Sequence, residues 1–432
     1  MKSRLIRWAL CMALVAAALV SCALAEEKQI VEDHIQYVIR EGYAAADGFD
    51  AELKGSFKGK LVIADTVAGL PVTHVGGFSQ ESGITEVVFP AAAAVIEDEA
   101  FKGCAALKKI DFPQGLTHIG EEAFMACSSL KSIEIPGSVG SIGYDAFASC
   151  TKLKKAVIKP GEETQALMYL SAFDECTALA TVELPHGLRE IGGFWKCKSL
   201  KRIELPETVT KIYGLAFEQS GLTQITLPQG LTEIGNEAFA NTSLQKIEIP
   251  EGVTQLPKYA FSGCRKLTAI KLPASLVSIG FQAFAWTPVK ELVIPRGVTQ
   301  IPERMCYGCE KLTKITLPEG LEMIDDYAFW GTKKLKAISF PRSLKEIGEY
   351  AFEYSGLKKA VFYEEMQIVR AFAFAECSGL KELVFHGEDT QAHKYAFMGK
   401  MSELTCHKGS WIDEDGMIAY KKKVYLKAEA EK

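Results

Sequence analysis

Cysteine recurs at one fixed position of this 432-residue chain and is the first candidate for chemistry. It closes the word Ala-Phe-x-x-Cys, or the same word with Gly first, at Cys104, Cys127, Cys150, Cys176 and Cys197, and it recurs at Cys264, Cys309 and Cys377. Elsewhere the position holds Ser220, Thr242, Thr287, Thr332 or Ser355. Interchange with small hydroxyl residues indicates a tight, mostly buried position, where the side chain packs and hydrogen-bonds the turn backbone.

Disulfide, redox and metal chemistry are the competing interpretations of this cysteine column. Parallel register would hold the Cβ atoms of neighbouring copies about 4.8 Å apart, beyond the range of about 3.5 to 4.5 Å that a disulfide needs. The one Cys-x-x-Cys motif is Cys306-Tyr-Gly-Cys309, in which Cys306 replaces a core Phe. No second Cys or His pair accompanies that motif, so we expect no metal site, no redox centre and no cofactor.

Carboxylates form a second column at the middle of the predicted strands, at Asp111, Glu134, Glu183, Glu204 and Glu248. Adjacent strands would place such acids about 4.8 Å apart, close to the carboxyl separation of a retaining glycosidase. Basic residues lie one strand step earlier on the same face, at Lys109, Lys155, Arg202 and Lys246. Cross-strand ion pairs therefore explain the column, and we expect no catalytic residue. Polar ligand contacts, a cation site and a carbohydrate-active enzyme are the other interpretations.

A column of aromatic residues is the candidate for binding a partner. The residue before Ala-Phe is acidic in the first half of the chain, at Glu99, Glu122, Asp145 and Glu237, and aromatic in the second, at Tyr259, Tyr327, Tyr350, Phe372 and Tyr395. Trp286, Tyr307, Trp330 and Tyr354 follow the core Phe or its replacement in the same half. Aromatic side chains supply large contact area at low entropic cost. The column therefore either packs between coils or forms a ligand-binding stripe.

The elements that position these columns come from a repeat. Ala-Phe occurs in register twelve times, mostly at spacings of 22 or 23 residues, and three degenerate copies fill the long gaps. A period of this length predicts a solenoid, here of about fifteen units, in which each unit buries its apolar side against its neighbours. Within a unit, Leu130 to Pro136 alternates apolar and polar residues and predicts a short strand. The Ile-Gly-x-x-Ala-Phe part predicts a short helical or irregular return.

The repeat is similar to that of the BspA-like bacterial leucine-rich-repeat proteins. Residues 119–136 carry the hallmark Ile-Gly-x-x-Ala-Phe-x-x-Cys-x-x-Leu-x-x-Ile-x-Ile-Pro, and residues 142–150 begin it again. The resemblance extends from about Leu61 to Cys406. We therefore expect an α/β-type solenoid, a right-handed coil with a parallel sheet on its concave face. The resemblance also implies a surface or secreted protein that binds macromolecules, and adhesion is the role usually proposed for the family.

The segments outside the repeat complete the expected organisation. Residues 1–25 place Lys2, Arg4 and Arg7 before an apolar run and predict an export signal. Cleavage after Ala25 is one outcome, and lipidation of Cys22 at Leu19-Val-Ser-Cys22 is the other. Residues 26–60 predict an N-terminal cap, 61–405 the solenoid, and 406–432 a C-terminal cap or tail that includes a second hairpin.

Charge limits the class of partner. Removal of the signal changes the formal net charge from −5 to about −8, which argues against a nucleic-acid partner. We expect an exported, secreted or cell-surface monomer that binds an extracellular protein or glycan and contacts a membrane only if Cys22 is lipidated. A structural envelope component is a further alternative.

Overall fold

A computed structural model describes residues 28–161, 167, 169–387, 390–393 and 395–399, and the backbone of four short strands between 404 and 426. The described residues form a parallel β-solenoid of about 14 turns. Its strands build two ladders, which we name by their place in the repeat. Face 1 contains the strands of the Leu-x-x-Ile-x-Ile segment, and face 2 contains the strands that precede the Ala-Phe word.

The strands are numbered in chain order. Face 1 contains β4 (Gly59–Val62), β7 (Ile84–Val88), β9 (Lys109–Ile110), β11 (Ser132–Ile135), β13 (Lys155–Ile158), β15 (Thr181–Glu183), β19 (Lys246–Glu248), β21 (Ala269–Lys271), β23 (Glu291–Val293), β25 (Lys314–Thr316), β28 (Lys359–Phe362), β30 (Glu382–Phe385) and β32 (Leu404–His407). Face 2 contains β6 (Leu70–Gly76), β8 (Val95–Ile96), β10 (His118–Ile119), β12 (Ser141–Ile142), β14 (Tyr169–Ser171), β16 (Glu190–Gly192), β17 (Lys211–Ile212), β18 (Glu233–Ile234), β20 (Gln255–Leu256), β22 (Ser278–Ile279), β24 (Gln300–Ile301), β26 (Met323–Ile324), β27 (Glu346–Ile347), β29 (Ile368–Val369) and β31 (Gln391–His393). The remaining strands are β1 (Lys28–Glu32), β2 (Ile35–Arg40), β3 (Tyr43–Phe49), β5 (Thr66–Val67), β33 (Trp411–Ile412), β34 (Met417–Ala419) and β35 (Tyr425–Leu426).

Each coil pairs in parallel with the next at equivalent positions of the repeat. On face 1, Ile133 of β11 lies opposite Ala156 of β13, and Glu134 lies opposite Val157. Strand β11 alternates exposed and buried residues, as the period of two predicts. The apolar positions therefore stack on one another inside the coil, and the polar positions form columns on its outside.

Antiparallel strands lie at both ends of the parallel stack. Strands β1, β2 and β3 form an antiparallel sheet, and β3 then pairs in parallel with β6, the first strand of face 2. At the other end β34 pairs antiparallel with β31 and β33, while β35 pairs antiparallel with β32. Both arrangements occupy backbone groups that a terminal parallel strand would otherwise leave open to association.

The α/β assignment predicted from the sequence is wrong, because no helix occurs among the residues that the structure describes. Two residues per coil adopt the left-handed conformation, as at Glu122 (φ 51°) and Ala126 (φ 60°), so no run is long enough for a helix. Alternate turn amides also bond to the next coil, as Phe124 N does to Ala146 O at 2.7 Å. The return is therefore a regular, hydrogen-bonded part of the solenoid, and its first residues form face 2.

The core is a continuous column of aromatic rings inside the coil. Phe101, Phe124 and Phe147 are fully buried, with ring centroids 5.4 and 5.3 Å apart and planes nearly parallel. The column continues in the same way from Phe194 through Phe217 and Phe239 to Phe261, the last three pairs lying 5.5 or 5.6 Å apart. Repetition of one side chain at one position thus sets both the spacing and the register of the coils.

Candidate interaction surfaces

The cysteine column is part of the scaffold, as the sequence indicates. Each Sγ donates to the carbonyl oxygen of the core Phe one coil earlier, with distances of 3.0 to 3.3 Å, at Cys104, Cys127, Cys150, Cys176, Cys197, Cys264, Cys309 and Cys377. These thiols are fully buried and carry no disulfide. Burial raises the pKa of Cys104 to about 12 and that of Cys264 to about 11, so these two thiols stay protonated and unreactive at neutral pH.

The Cys306-Tyr-Gly-Cys309 motif lies inside the same core. Cys306 occupies the position of the ring in the Phe column, and both cysteines are fully buried. A hydrogen bond to Cys309, together with burial, raises the pKa of Cys306 well above its usual value. At Cys309 burial acts to raise the pKa, but hydrogen bonds with Cys306 and Thr287 outweigh it and lower the pKa. Both thiols are closed off from solvent, so the motif lacks the exposed thiol that redox chemistry requires.

Four of the five acids in the face 1 column contact a lysine. Asp111 pairs with Lys109 of its own coil at 2.5 Å, and Glu183 pairs with Lys155 of the preceding coil at 2.7 Å. Glu134 contacts Lys159, and Glu248 contacts Lys271 directly across the ladder. The predicted ladder of ion pairs is present at these positions. Glu204 is the exception, since no hydrogen bond or ion pair of its carboxylate occurs with any described residue.

Glu204 lies in the longest interruption of face 1. Between β15 and β19 the two intervening coils, at residues 202–204 and 224–226, are not strands. The amides of Thr223 and Gln245 still bond to the preceding coils, at 3.0 and 3.3 Å. Beyond these points, no backbone hydrogen bond among the described residues joins 202–206 or 224–228 to a neighbouring coil. Neighbouring coils are therefore hydrogen-bonded at the start of each strand segment and unpaired along the rest of it.

The open segments form a hollow that we call the central furrow, lined by residues 180–184, 186, 202–206, 224–227, 229, 246–248, 250 and 269–271. Two adjoining hollows of about 740 and 420 Å³ share Arg202, Ile203 and Glu204. Inward residues that are buried elsewhere in the repeat, such as Ile133 and Leu292, have partly exposed equivalents here in Val182, Leu184, Leu205, Ile225 and Ile270. The floor of the furrow is therefore aliphatic and open to solvent.

Exposed polar side chains flank this floor. Arg202, Gln224 and Lys246 occupy one outer row, and Glu204 and Thr226 occupy the other. Within the described part of the chain, none of these five side chains makes a hydrogen bond or an ion pair. The furrow thus combines an exposed apolar floor with cationic, amide and acidic groups that are available to a ligand.

Aromatic residues of the second half of the chain stack along the turns in two rows, which together we call the aromatic band. The first row contains Tyr259, Tyr327, Tyr350, Phe372 and Tyr395, and the second contains Trp286, Tyr307, Trp330 and Tyr354. The ring of Tyr350 lies 4.7 Å from that of Tyr327 and 4.9 Å from that of Phe372, with planes 11° and 9° apart. Phe372 stacks in turn on Tyr395 at 5.4 Å, and Tyr259 meets Phe281 edge to face. Packing between coils, one of the two interpretations from the sequence, is therefore present. Part of each side chain is still exposed to solvent, because Tyr259, Tyr327, Tyr350 and Phe372 are half-buried and Tyr395 is exposed.

A second aromatic row runs beside the first. Tyr307 stacks on Trp330 at 4.5 Å, and Trp286 meets Tyr307 edge to face at 5.1 Å. Gly308 (φ 69°) leaves room for the Trp286 ring, because a Cβ at position 308 would lie 2.5 Å from that ring. Tyr307 links the rows, with its ring centre 6.3 Å from that of Tyr327. The guanidinium carbon of Arg304 lies 4.8 Å from the centre of the same Tyr327 ring. The band is therefore a rigid, preassembled surface.

The repeat matches that of a known protein family over most of the chain. The family model described as "BspA type Leucine rich repeat region (6 copies)" matches residues 75–193, 192–309 and 277–405, which cover most of the chain. The chain belongs to the BspA-type leucine-rich repeat family. No curated protein matches it.

Solved structures of bacterial leucine-rich-repeat proteins resemble this BspA-type chain. A leucine-rich repeat protein from Bacteroides ovatus is 25% identical, with a TM-score of 0.67, and the alignment covers 88% of this chain and all of that one. A leucine rich cell surface protein from Faecalibacterium prausnitzii is 24% identical over 83% of this chain and 95% of that one, with a TM-score of 0.49. The first of these comparisons agrees with the solenoid described above.

Sequence reasoning found the columns but missed the central furrow. Its signal in the sequence is small: Gln224 and Thr226 interrupt the basic and acidic rows that Arg202, Lys246, Glu204 and Glu248 otherwise continue. The export signal and Cys22 lie outside the described residues. Within the described part of the chain, no helix is long and apolar enough to cross a membrane.

Proposed function

We propose that this BspA-type protein is a non-enzymatic binding protein that holds an extracellular protein in the central furrow. The observation that carries the proposal is the joint loss of backbone pairing and ion pairing at one place on face 1. Exposed aliphatic residues and unpaired charges at the same place provide the two components of a recognition surface, an apolar centre and a polar surround.

The composition of the furrow favours a protein ligand over a glycan. Its floor consists of Leu205, Ile225, Ile270 and similar aliphatic residues, which suit an inserted apolar side chain. Arg202, Lys246 and Glu204 supply both signs of charge, so they complement a peptide segment that also carries both. A flat aromatic floor, on which a sugar ring could stack, is absent from the residues that line the furrow.

The aromatic band is a second contact surface in this proposal. Tyr259, Tyr327, Tyr350, Phe372 and Tyr395 offer ring edges and hydroxyl groups on a surface already ordered by stacking, so binding there would cost little side-chain entropy. Paired acids of face 1, at Asp111, Glu134, Glu183 and Glu248, would contribute polar contacts next to the furrow. Affinity would then be distributed over many coils, as is typical of solenoids.

Export and a surface location belong to the same proposal. The basic and apolar pattern of residues 1–25 supports export, and the Faecalibacterium prausnitzii protein of similar fold is described as a cell surface protein. Adhesion would follow if the bound protein belongs to another cell or to its matrix. The protein would act as a monomer, attached to a membrane only through a lipidated Cys22.

The enzyme alternative has less support, because the acids that would catalyse contact lysines instead. Asp111, Glu183 and their equivalents form ion pairs, and Glu204 is the single member of the column without one. A hydrolase of the two-carboxylate type needs a pair of free acids flanking the substrate.

A binding screen with matched variants tests the proposal. The purified chain would first be screened against extracellular-matrix proteins and a glycan panel. For a ligand found there, the triple variant R202A/E204A/K246A should lower affinity at least about tenfold. The control K359A/E382A, which removes an ion pair on the same face away from the furrow, should change affinity less than about twofold. Equal effects of both variants, or binding to glycans alone, would contradict the proposal.

A further inference from the structure

A cluster of three possible metal ligands lies at the N-terminal cap, apart from the surfaces above. The hairpin between β1 and β2 turns at Asp33 (φ 50°) and His34 (φ 65°), since Glu32 pairs with Ile35. Two consecutive left-handed residues form a type I′ turn, which usually selects Asn-Gly or Asp-Gly. A histidine at the second position therefore carries a conformational cost that glycine would avoid.

The backbone fixes the end of β3 beside this turn. Asp50 N donates to the carbonyl oxygen of His34 at 2.8 Å, so the two residues are held next to each other. The Oδ1 atom of Asp50 accepts from the amides of Glu52 and Leu53, at 3.1 and 3.0 Å. These contacts orient the carboxylate, and its Oδ2 atom lies 2.9 Å from Nδ1 of His34.

Glu52 brings a third ligand to the same point. Its Oε2 atom lies 4.0 Å from Nδ1 of His34, and the ligand atoms of His34, Asp50 and Glu52 all lie within 4.8 Å of one another. The side chain of Glu52 is 83% exposed, so it moves freely. In tetrahedral zinc coordination, ligand atoms about 2.0 Å from the metal lie roughly 3.3 Å apart. His34 and Asp50 already lie near this separation, and movement of the exposed Glu52 side chain by about 1 to 2 Å completes a set of three zinc ligands.

We propose that His34, Asp50 and Glu52 bind a divalent transition-metal ion, Zn²⁺ in the first place, at the N-terminal cap. Imidazole nitrogen favours a transition metal over Ca²⁺ or Mg²⁺, which prefer oxygen ligands alone. Two carboxylates balance the charge of the ion, and water or an acidic group of a partner completes its coordination. Bound metal ties the β1–β2 turn to the segment after β3, and so stabilises the sheet that covers the start of face 2.

Titration of the untagged chain with Zn²⁺ alone tests the site. Calorimetry should show about one ion per chain, and saturating Zn²⁺ should raise the melting temperature. H34G removes a ligand yet suits the left-handed turn, so it should fold at least as well as the parent chain. We expect it to lose Zn²⁺ affinity at least about tenfold. D33G alters the neighbouring turn residue, which is no ligand, and should bind Zn²⁺ like the parent chain.

A second variant guards against an effect on folding. E52Q changes an exposed side chain and should weaken Zn²⁺ binding severalfold without changing the melting temperature of the metal-free protein. Absence of saturable binding would overturn the proposal. Equal Zn²⁺ affinity of the parent chain, H34G and E52Q would overturn it as well, because the ion would then occupy other groups such as His186.

Discussion

The thiol of Cys127 donates a hydrogen bond of 3.3 Å to the carbonyl oxygen of Phe101, one coil earlier. The same bond joins each cysteine of the column to the backbone carbonyl of the core Phe in the preceding coil. Sulfur is therefore used here as a small apolar group with a donor, and not for its redox chemistry.

Substitution of Cys127 should follow the residues that the repeat already accepts. Serine fills the equivalent position at Ser355, where its hydroxyl meets the thiol of Cys377 in the next coil at 3.2 Å. Cys150 stands in the same place next to position 127, so C127S should cost only about 1 kcal/mol. Leucine must enter a fully packed position, so C127L should cost roughly 1 to 3 kcal/mol or more. Denaturant unfolding of both variants measures the difference. A larger loss for serine than for leucine would contradict the packing interpretation.

The buried thiols should also resist modification in the folded protein. Burial raises the pKa of Cys377 to about 11 and also raises the pKa of Cys104, Cys127 and Cys150, so thiolate is scarce at these four positions at neutral pH. Alkylation followed by peptide mapping should find Cys104, Cys127, Cys150 and Cys377 unmodified in the native protein and fully modified in denaturant. Rapid native labelling at any of these positions would show that the coil opens there.

The sequence predicted the scaffold well because the scaffold is what repeats. Phe101, Cys127 and Leu130 recur at fixed spacing, and their burial follows from the period alone. Of the two forms predicted for the return, the helical one is wrong, since a left-handed residue at Glu122 cannot be recognised from its side chain. The central furrow and the cap cluster depend on departures from the repeat. How far coils separate at Ile225, or where Asp50 lies relative to His34, depends on packing that no single unit encodes.

Asp174 should make stability depend on pH. Burial raises the pKa of its carboxyl to about 6, and nearby Asp145 adds to the shift. Since this folded-state pKa lies above the unfolded value, ionisation penalises the fold above about pH 6, and the penalty disappears as pH falls below about 4. D174N should therefore stabilise the protein at pH 8, by about 1 kcal/mol after allowance for solvent screening, and change little near pH 4. Urea unfolding at the two pH values measures this.

Glu175 provides a control of opposite sign. The ammonium of Lys196, 2.7 Å away, holds the pKa of the Glu175 carboxyl below its usual value. Its contribution to stability is present above the unfolded pKa and is lost as pH falls, so E175Q should destabilise the protein at pH 8. Stabilisation by both variants at pH 8 would point to general charge repulsion instead of the burial of Asp174.

A new ion pair should close the central furrow. Thr226 occupies the repeat position after Glu204 that Lys271 occupies after Glu248, where the two side chains pair across the ladder. T226K should therefore cover the furrow and lower affinity for a furrow ligand at least about tenfold, while stability changes by less than about 1 kcal/mol. T316K adds the same charge at the same repeat position elsewhere on face 1. If both variants weaken binding equally, long-range charge and not the furrow determines affinity.

Stacking in the aromatic band should appear as a coupling energy between Tyr327 and Tyr350. Their rings lie 4.7 Å apart with planes 11° apart, so each stabilises the other beyond its own burial. A double-mutant cycle with Y327L and Y350L should give a coupling of about 0.5 to 1.5 kcal/mol in chemical denaturation. Tyr259 lies several coils from Tyr350 and should show additive effects in the control cycle Y259L with Y350L. Additivity in the first cycle would mean that stacking between the two rings contributes no free energy to folding and that the turn backbone alone orders them.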